Sequence, residues 1–562
     1  MGTIIPIISP LVEYIRSFFE WIGRYLAPFL DPILNYIHGD GLVILPQMEL
    51  LLFALGILIF DFLLDKREKH FNAYLALLGV AAGGLGLFMQ YKRLASAMGS
   101  PMGAGPVLGF QNSVIVDGFS LIFGVIFLAA TALVILLSIR YLEIEQEIEG
   151  EYYALMLLAA IGMMFMASGM DVVVLFLGLE TMALSFYVLV GFLRREKRSN
   201  EAALKYLLLG AFSTGILTYG FSFLYGISGS TNLANISSAL DHRNGLAHAI
   251  AVSQQAGPAG EQMRQLLAAR LPMALHLDPY LVQVLPLLAF VLVAAGMFFK
   301  IAAVPFHQWA PDVYEGAPTP ISAYVSVASK TASFAMFLRL LLFIFNPVNN
   351  DPAWVYLIAG VAIASLTWGN LAALTQTNIK RLLAYSSISH VGYILLGIVA
   401  WNETGLIGIF YYLVAYAFMT IGAFAIVIVL HQRGLIGDEL SDLDGLYQRS
   451  PGAALLLLIF MLSLAGIPPT AGFMGKYFIF QALIQSHHPI LAVFAALYIV
   501  PAVFYYFRVI VHAWLKKPGE NISVPLLTTA QLFALIVTVF VTLAAGLYPE
   551  PFTHLARYAL GQ

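Results

Sequence analysis

Long apolar segments, separated by short polar stretches, follow one another along most of this chain. A membrane-spanning helix needs about 20 mostly apolar residues, and fourteen segments satisfy that condition. They lie near residues 42–64, 72–90, 118–140, 152–168, 170–193, 201–226, 281–304, 320–344, 353–375, 380–400, 404–431, 452–484, 490–514 and 525–547. The pattern therefore predicts an all-α fold, that of a polytopic membrane protein with about 14 transmembrane helices.

Two of the apolar segments are too long for one straight span and contain prolines. Residues 281–310 carry Pro305, and residues 452–484 carry Pro468 and Pro469. A membrane tolerates proline in a helix only where protein or water satisfies the freed carbonyls. We therefore expect two broken helices. They are the seventh and twelfth spans, and this odd offset inverts the second, so spans four to eight and nine to thirteen are predicted to be inverted repeats.

The repeats predict a division of the chain into five parts. These are an N-terminal interfacial helix at 1–37, the first three transmembrane helices at 38–150, the first inverted repeat with an external loop 228–279 at 151–345, the second inverted repeat at 346–515, and the last transmembrane helix with the C-terminal tail at 516–562. Residues 1–37 are assigned to the membrane interface because four charged residues share one helical stripe: Glu13, Arg16, Glu20 and Arg24. An additional span with this stripe against protein is the alternative.

The composition supports a membrane protein and excludes several chemistries. Of the 562 residues, 60% are hydrophobic and 10% are charged, against about 25% charged in a soluble domain. Mean hydropathy is +0.85. The net charge of -3 and the lack of a long basic run give no sign of a nucleic-acid partner. Cysteine is absent, so neither thiolate-bound iron-sulfur clusters nor c-type haem is expected in this chain.

Nucleotide binding is not predicted either. The run GAGPVLG at 103–109 does not lie between a strand and a helix, as a dinucleotide fingerprint would, and the chain has no P-loop. We expect no cofactor in this chain.

The distribution of lysine and arginine predicts the orientation. Loops on one side of the predicted membrane carry fourteen such residues and loops on the other carry five. Because basic loops stay in the cytoplasm, the richer side is predicted to be cytoplasmic. Both termini then lie in the periplasm of a bacterium, with the chain spanning the inner membrane many times.

Ionisable residues inside the apolar segments are the main functional signal. Seven are candidates for proton translocation: Glu180, Lys205, Lys300, His307, Lys330, His390 and Lys476. A charge in the bilayer centre costs a few kcal/mol, so such residues usually work or pair. Seven in one chain predict a conduction path.

The first candidates form a predicted ion pair. Glu180 and Lys205 lie on consecutive helices joined by a short basic loop, so their side chains are expected to meet. A movable carboxylate changes the proton affinity of a buried lysine. The alternatives are a static pair or a neutral acid for Glu180, and for Lys205 a side chain that reaches the cytoplasmic surface.

The central candidates are surrounded by hydroxyl groups or lie beside a predicted break. Lys330 and His390 each have several serines nearby, which suits a proton chain. Lys300 precedes the break at Pro305, where unwound backbone would offer carbonyl partners. Lys476 follows the second break and is expected to be the outermost relay. A purely structural role is the alternative for Lys330, His390 and Lys476, and an interfacial anchor at a helix end is the alternative for Lys300.

The remaining polar residues are interpreted more simply. His307 titrates nearest neutral pH and could relay protons between lysines, but it could equally be a packing residue. Five acids in predicted cytoplasmic loops are interpreted as ordinary solvated charges: Asp312, Glu315, Asp438, Asp442 and Asp444.

Four motifs in order resemble one known family. They are FKIAAVPFHQWAPDVYEGAPTP, SKTASFAMF, IKRLLAYSSISHVGYILLG and AGIPPTAGFMGK. Together they resemble the antiporter-like membrane subunits of respiratory complex I over roughly residues 40–550. Within that family, HQWAPDVYEGAPTP is most similar to the subunit N group of NADH-quinone oxidoreductase, since subunits L and M and the Mrp antiporters typically have a stretch more like FHxWLPDAHxxAPT.

The resemblance implies a function and a set of partners. It implies fourteen helices with two inverted five-helix repeats, each with a broken helix. It also implies a redox-inactive subunit that translocates protons while other subunits oxidise NADH and reduce quinone, so that NAD, FMN, iron-sulfur clusters and quinone belong to partner subunits. In this family Glu180 matches the acid of the fifth span and Lys205 its lysine partner. Lys300 and Lys330 match the central lysines, His307 and His390 the relay histidines, and Lys476 the exit lysine.

Two alternatives remain at this point. A subunit of a Mrp-type cation/proton antiporter would need no redox partner. A structural spacer would use the buried charges only to fix the helices relative to one another. The first forty residues and the loop 228–279 exceed the family pattern, and their contacts stay open.

Overall fold

The computed structural model describes residues 40–65, 68–98, 106–147, 150–241, 279–345, 353–431, 438–518 and 527–561. The predicted interfacial helix at 1–37 lies outside the described residues, as does most of the predicted loop 228–279. The described residues form helices almost throughout.

The first three spans are a packed group. After a short 3-10 turn at Asp40–Ile44, α1 runs over Leu45–Leu63, α2 over Phe71–Met98 and α3 over Gly118–Glu145. Between α2 and α3, strands β1 (Val107–Gly109) and β2 (Val114–Val116) pair antiparallel. This small hairpin was not predicted, because three-residue strands carry no periodic signal.

The next two groups are the predicted repeats. The first contains α4 (Gly150–Ser168), α5 (Val172–Val190), α6 (Lys197–Ser228), α7 (Pro279–Lys300), α8 (Trp309–Gly316) and α9 (Thr319–Phe343). The second contains α10 (Ala353–Ala373), α11 (Ile379–Ala400), α12 (Glu403–Leu430), α13 (Pro451–Ala465), α14 (Ala471–Gln485) and α15 (Pro489–Trp514). A final span α16 (Thr529–Leu547) leads to a surface helix α17 (Glu550–Ala559).

Both predicted breaks are present. The first separates α7 from α8 at residues 301–308, and the second separates α13 from α14 at residues 466–470. Ala302 and Gly466 each take a left-handed conformation there, with φ of 58° and 83°. With the half-helices α7 and α13 counted, twelve long apolar helices and two shorter ones make fourteen spans within the described ranges, as predicted.

One intact helix also departs from α geometry. Residues Val325–Ser329 of α9 form a π-helical segment directly before Lys330. Such segments have hydrogen bonds from residue i to residue i+5, so they are wider than the α-helix, and they often lie at functional sites. No pattern in the sequence predicted this segment.

The two ends of the helix bundle, which lie at the two membrane surfaces, differ in charge. One end, which we call the basic face, contains the connection α5–α6 and the first turns of α6 and α11, with Arg194, Arg195, Arg198 and Arg381. At the opposite face, Asp117 and Asp171 cap helices by accepting hydrogen bonds from the backbone of Ser120 and Val173, both at 2.8 Å. That the basic face is cytoplasmic stays a prediction.

Helices α9, α11 and α12 form the centre of the molecule. They are almost wholly buried, whereas α1, α15 and α16 leave large apolar side chains exposed, as lipid-facing helices do. The candidate residues Lys330 and His390 therefore lie on the most enclosed helices of the fold.

Candidate functional site

The carboxyl group of Glu180 lies midway along α5 and is half-buried. It accepts a hydrogen bond of 2.8 Å from the hydroxyl of Thr214 on α6, and that hydroxyl also contacts the carbonyl of Gly210 at 3.0 Å. A single side-chain hydroxyl thus holds the acid without neutralising it. Glu180 is left able to act on a cation across the bundle.

That cation is Lys300, the last residue of α7. Lys300 is buried, and its Nζ lies 3.4 Å from the hydroxyl of Tyr187, 5.9 Å from the centre of that ring, and within electrostatic range of Glu180. The sequence predicted carbonyl partners for Lys300 from the break. The structure instead supplies a phenol from α5, because the break begins one residue beyond the lysine.

Aromatic rings connect Lys300 with the centre of the bundle. Tyr187 packs edge-on against Tyr206 at 4.8 Å, and Tyr206 stacks on Trp309 at 4.6 Å. The hydroxyl of Tyr206 also interacts with Ser329, the neighbour of Lys330. Phenols and a serine therefore lie between the first lysine and the second.

Lys330 lies at the end of the π-helical segment and crosses to the second repeat. Its Nζ donates a hydrogen bond to Ser387 of α11 and lies 5.6 Å from the centre of the Tyr314 ring. The hydroxyl of Tyr416 on α12 contacts both Ser387 and Ser326 at 2.8 Å. The serines that flank Lys330 and His390 in sequence thus belong to one shared hydroxyl network.

His390 continues this network along α11. Its Nδ1 lies 2.7 Å from the hydroxyl of Tyr412, and its Nε2 lies 3.1 Å from the hydroxyl of Tyr506. The imidazole is also within electrostatic range of Lys330 and Lys476. With a phenol on each ring nitrogen, His390 can accept a proton on one side and release one on the other.

Lys476 lies on α14 beside the second break. Its Nζ donates to the carbonyl of Ala465 at 2.8 Å, where α13 ends, and lies 4.9 Å from the centre of the Tyr393 ring. An ended helix leaves carbonyls without intrahelical partners, and this lysine binds one of them. Here the predicted use of break carbonyls does occur, in the second repeat.

His307 lies within the first break but apart from this row. Its ring contacts Trp368 of α10 at 5.8 Å. Among the described residues no hydrogen bond joins it to Lys300 or Lys330. The packing interpretation is therefore the one that the geometry favours, and the relay role stays a prediction.

The predicted pair of Glu180 with Lys205 is wrong for this structure. Lys205 pairs instead with Asp312 and with Glu201, each at 2.8 Å, and its side chain is 43% exposed. Lys205 lies nine residues before Thr214 on α6, about 14 Å along the helix axis, so it is far from the depth of Glu180. The two helices are consecutive in the chain, but the two side chains lie at different depths along them.

The acids interpreted as solvated loop charges also need correction. Asp312 and Glu315 lie on α8, and Arg381 donates to both at 2.8 Å. With Lys205 and Arg198 they line a polar cavity of about 270 Å³ at the basic face. These charges form a network at the mouth of the first repeat.

A second polar cavity opens at the opposite face, against the second repeat. It measures about 450 Å³ and is lined by residues of α12, α14 and α17, including Glu403, Gln481, Glu550, His554 and Arg557. These residues were not predicted to form a site, because they lie near helix ends, where charged and polar side chains are common.

Two further buried ion pairs were missed. Lys380, at the start of α11, pairs with Asp438 at 2.9 Å, and Arg339 on α9 contacts Asp117 at 2.6 Å. Arg339 lies deep in an apolar segment, so the rule that selected the lysines also applies to it. Its partner is 222 residues away, and no local pattern connects the two.

Comparison with known proteins now gives the class. A family model described as the transmembrane region of NADH:quinone oxidoreductase and Mrp antiporters matches residues 169–500, which span most of both repeats. The chain is thus a member of this superfamily of antiporter-like membrane proteins.

The more specific family follows from individual relatives. The chain is 49% identical to NADH-quinone oxidoreductase subunit N 2 of Solibacter usitatus, over 94% of this chain and 99% of the relative. It is 47% identical to subunit N 1 of Koribacter versatilis, over 93% and 96%. The chain belongs to the subunit N family of NADH-quinone oxidoreductase, as its motifs predicted.

A solved structure agrees with this assignment. A chain of respiratory complex I from Thermus thermophilus with bound aureothin is similar with a TM-score of 0.69 and 29% identity, over 91% of this chain and 98% of that chain. The predicted polytopic fold is confirmed by this likeness. Within the described residues, no group of three or more His, Asp or Glu could hold a metal ion.

Proposed function

We propose that this chain is a redox-inactive, proton-translocating subunit of the membrane arm of an NADH-quinone oxidoreductase in a bacterial inner membrane. Its partners would be the other membrane-arm and peripheral-arm subunits, which would carry NAD, FMN, iron-sulfur clusters and quinone. The observation that carries the proposal is the buried row Lys300, Lys330, His390 and Lys476, connected by phenols and serines across both repeats.

The row would work by changes in charge balance. Glu180 would stabilise the ammonium of Lys300 when the two approach. Moving a counter-charge from about 4 Å to about 8 Å changes a pair energy by about 2 kcal/mol at an effective dielectric constant of 20. Moving one proton against 100 mV costs about 2.3 kcal/mol. Displacement of one acid by a few ångströms therefore supplies energy of the required size.

We propose a direction for the protons as well. They would enter at the cavity of Lys205, Asp312 and Arg381 at the basic face, pass Lys300 and Lys330, and cross to His390 and Lys476. Release would follow at the opposite face. In this scheme Lys205 serves the mouth of the path, and His307 is not required.

Replacement of Lys330 by alanine tests the proposal. In the assembled complex, reconstituted into vesicles, we expect Lys330→Ala to lower the number of protons pumped per electron. Lys197→Ala is the control, because Lys197 is an exposed lysine of the basic face. Undiminished pumping in an assembled Lys330→Ala complex would contradict the proposal.

A Mrp-type antiporter is the second candidate, since the matching family model covers both groups. Vesicles that contain the complex but no NADH separate the two. Proton flux driven by a sodium gradient would favour the antiporter, whereas flux that depends on NADH oxidation favours the oxidoreductase.

A further inference from the structure

Two arginines occupy equivalent positions in the two repeats. Arg339 lies twenty residues after the first residue of α9, and Arg508 lies nineteen residues after the first residue of α15. These helices are the fifth span of each repeat. Because the repeats are inverted, Arg339 lies towards the opposite face and Arg508 towards the basic face.

The guanidinium groups also bind equivalent partners. Arg339 donates to the carbonyl of Ala167 at 2.5 Å, in the last turn of α4. Arg508 donates to the carbonyl of Leu374 at 2.6 Å and also to that of Gln376, just beyond the end of α10. Helices α4 and α10 are the first spans of their repeats. In each repeat, then, an arginine of the fifth span binds the carboxyl end of the first.

The charge balance of the two arginines differs. Arg339 is fully buried and also makes a bidentate contact with Asp117, at 2.6 and 3.1 Å. Arg508 is half-buried, and in the described part of the chain no carboxylate lies within 4 Å of it. Arg508 therefore keeps more of its positive charge uncompensated.

Each repeat has its polar cavity at the end away from its arginine. The cavity of the first repeat opens at the basic face beside Lys205 and Asp312. The cavity beside the second repeat opens at the opposite face, next to Glu403 and Gln481. Each half of the molecule thus has one end with a polar cavity, whose arginines pair with carboxylates, and one end where a guanidinium binds helix-end carbonyls.

From this arrangement we infer that Arg339 and Arg508 are the seals that keep each half of the proton path closed on one side. Arg339 closes the first repeat towards the opposite face, and Arg508 closes the second repeat towards the basic face. A proton that enters the first repeat can then leave only by crossing to the second. The inference rests on the proposed function, because it assigns these two residues to the same path.

At Arg508 the physical basis is a fixed positive charge in a poorly solvated place, whereas Arg339, which is paired with Asp117, acts mainly by occupying a helix-end carbonyl. Such a charge raises the energy of any cation that approaches it, as the arginine barriers of channels do. The guanidinium also occupies the helix-end carbonyls that would otherwise bind water or a hydrated proton. Removal of the side chain frees the carbonyls and removes the barrier together.

A seal is most needed at Arg508, because polar groups lead towards it from the relay. The hydroxyl of Tyr506 contacts His390 at 3.1 Å, and its neighbour Tyr505 contacts Asn370 at 3.4 Å. Arg508 follows Tyr505 by three residues, about one helical turn. The side chains between Lys330 and Arg339 on α9 are largely apolar, so the first repeat has a second barrier.

Passive proton conductance of the assembled complex in vesicles, measured without NADH under an imposed potential, tests the inference. We expect Arg508→Met to raise this conductance by about tenfold, since loss of a nearby unit charge is worth more than 1.4 kcal/mol at low dielectric constant. We expect a smaller rise for the double variant Arg339→Met with Asp117→Asn. The double change avoids leaving Asp117 as an unpaired charge.

Two control variants separate a seal from general loosening of the structure. Arg449 also donates to two backbone carbonyls, those of Asp442 and Asp444, so Arg449→Met is the control for Arg508→Met. Lys380→Met with Asp438→Asn removes another buried pair and is the control for the double variant. Arg508→Lys should retain the seal, because it keeps the positive charge.

The outcomes are distinct. A leak in the two arginine variants, absent in both controls and suppressed by adding His390→Phe to Arg508→Met, supports the seal. Unchanged conductance in both arginine variants, or equal leaks in the controls, overturns it. The proposed function is judged separately, by the protons pumped per electron in Lys330→Ala, so either idea can fail alone.

Discussion

The two repeats share one helix arrangement but hold their break lysines differently. In the first repeat Lys300 contacts the hydroxyl of Tyr187 and is within electrostatic range of Glu180. In the second, Lys476 is bound by the carbonyl of Ala465 and the ring face of Tyr393. One lysine has an anionic counter-charge, and the other has only neutral partners among the described residues.

This difference shows how one fold can compensate the burial of two lysines to different extents. A carboxylate stabilises the ammonium of Lys300. Carbonyls and π faces compensate less of the cost of burying the charge of Lys476. The proposed direction of transport, from Lys300 to Lys476, agrees with this asymmetry.

The largest effect should come from removing the counter-charge. We expect Glu180→Gln to lower proton pumping by more than tenfold, because a counter-charge about 4–8 Å from an ammonium is worth about 2–4 kcal/mol at an effective dielectric constant of 20. Thr214→Val is the matched variant, since it removes the hydroxyl that binds the acid but keeps the charge of the acid. Equal losses in both variants would show that positioning, not charge, is what matters.

The second test exchanges the left-handed residues of the two breaks. Gly466→Ala would bring a Cβ to 2.8 Å from Cδ of Lys476 and strain a φ of 83°. We expect it to lower the free energy of unfolding of the protein by about 1–2 kcal/mol and to reduce proton pumping. Residue 302 already has a left-handed backbone conformation, which glycine also adopts. Ala302→Gly should therefore change the free energy of unfolding by less than about 1 kcal/mol. Similar losses from both substitutions would contradict this account of the breaks.

The third test concerns the two tyrosines. Tyr187→Phe removes the hydroxyl that contacts Lys300, whereas the hydroxyl of Tyr393 donates to Ala495 at 3.0 Å and not to Lys476. Tyr187→Phe should therefore lower pumping by about threefold to tenfold, because the contact of 3.4 Å is long and a typical hydrogen bond contributes about 0.5–1.5 kcal/mol. Tyr393→Phe keeps the ring face and should have little effect on pumping. The reverse order would break the comparison.

The smallest effect is expected at the mouth of the first repeat. Lys205→Gln leaves Arg381 paired with Asp312 and Glu315, and exposed pairs contribute about 0–1 kcal/mol. We expect pumping to fall by less than about fivefold. A complete loss of pumping would restore Lys205 to the central path and require a rearranged Glu180.

Much of the fold follows from apolar length and proline position alone. The predicted span at 118–140 and the predicted breaks at Pro305 and Pro468 all correspond to observed elements, because lipid leaves few alternatives to a helix. The helix-end details do not follow in this way. The final span, predicted from 525, begins at Thr529, where the side chain of Thr528 caps the helix and accepts from Gln531.

The residues of the site were predicted better than the contacts among them. Lys300, Lys330, His390 and Lys476 were found because charge in an apolar segment is visible in sequence. The serines near Lys330 and His390 were noted, but the tyrosines that contact Lys300 and His390 were not predicted, because phenols in apolar helices are common. The errors concerned residues whose neighbours depend on tertiary packing.

Glu180 and Arg339 illustrate that limit from two sides. Glu180 was assigned to Lys205 on the next helix, whereas the structure places it within electrostatic range of Lys300, 120 residues later. Arg339 satisfied the selection rule and was overlooked, and its contact with Asp117 joins two distant helices. In both cases the contact depends on the depth of the side chain within the membrane. Residue spacing in the sequence gives that depth only along a single helix.

The π-helical segment Val325–Ser329 has a consequence for how this helix tolerates change. The wider turn contains one residue more than an α-helical turn would use. The direction in which each later side chain points therefore depends on the number of residues in this segment. Loss of a single residue there would rotate Lys330 by about 100° relative to the start of the helix, away from Ser387. Insertions and deletions in these five positions should therefore be far more damaging than most substitutions, even though every side chain in the segment is small.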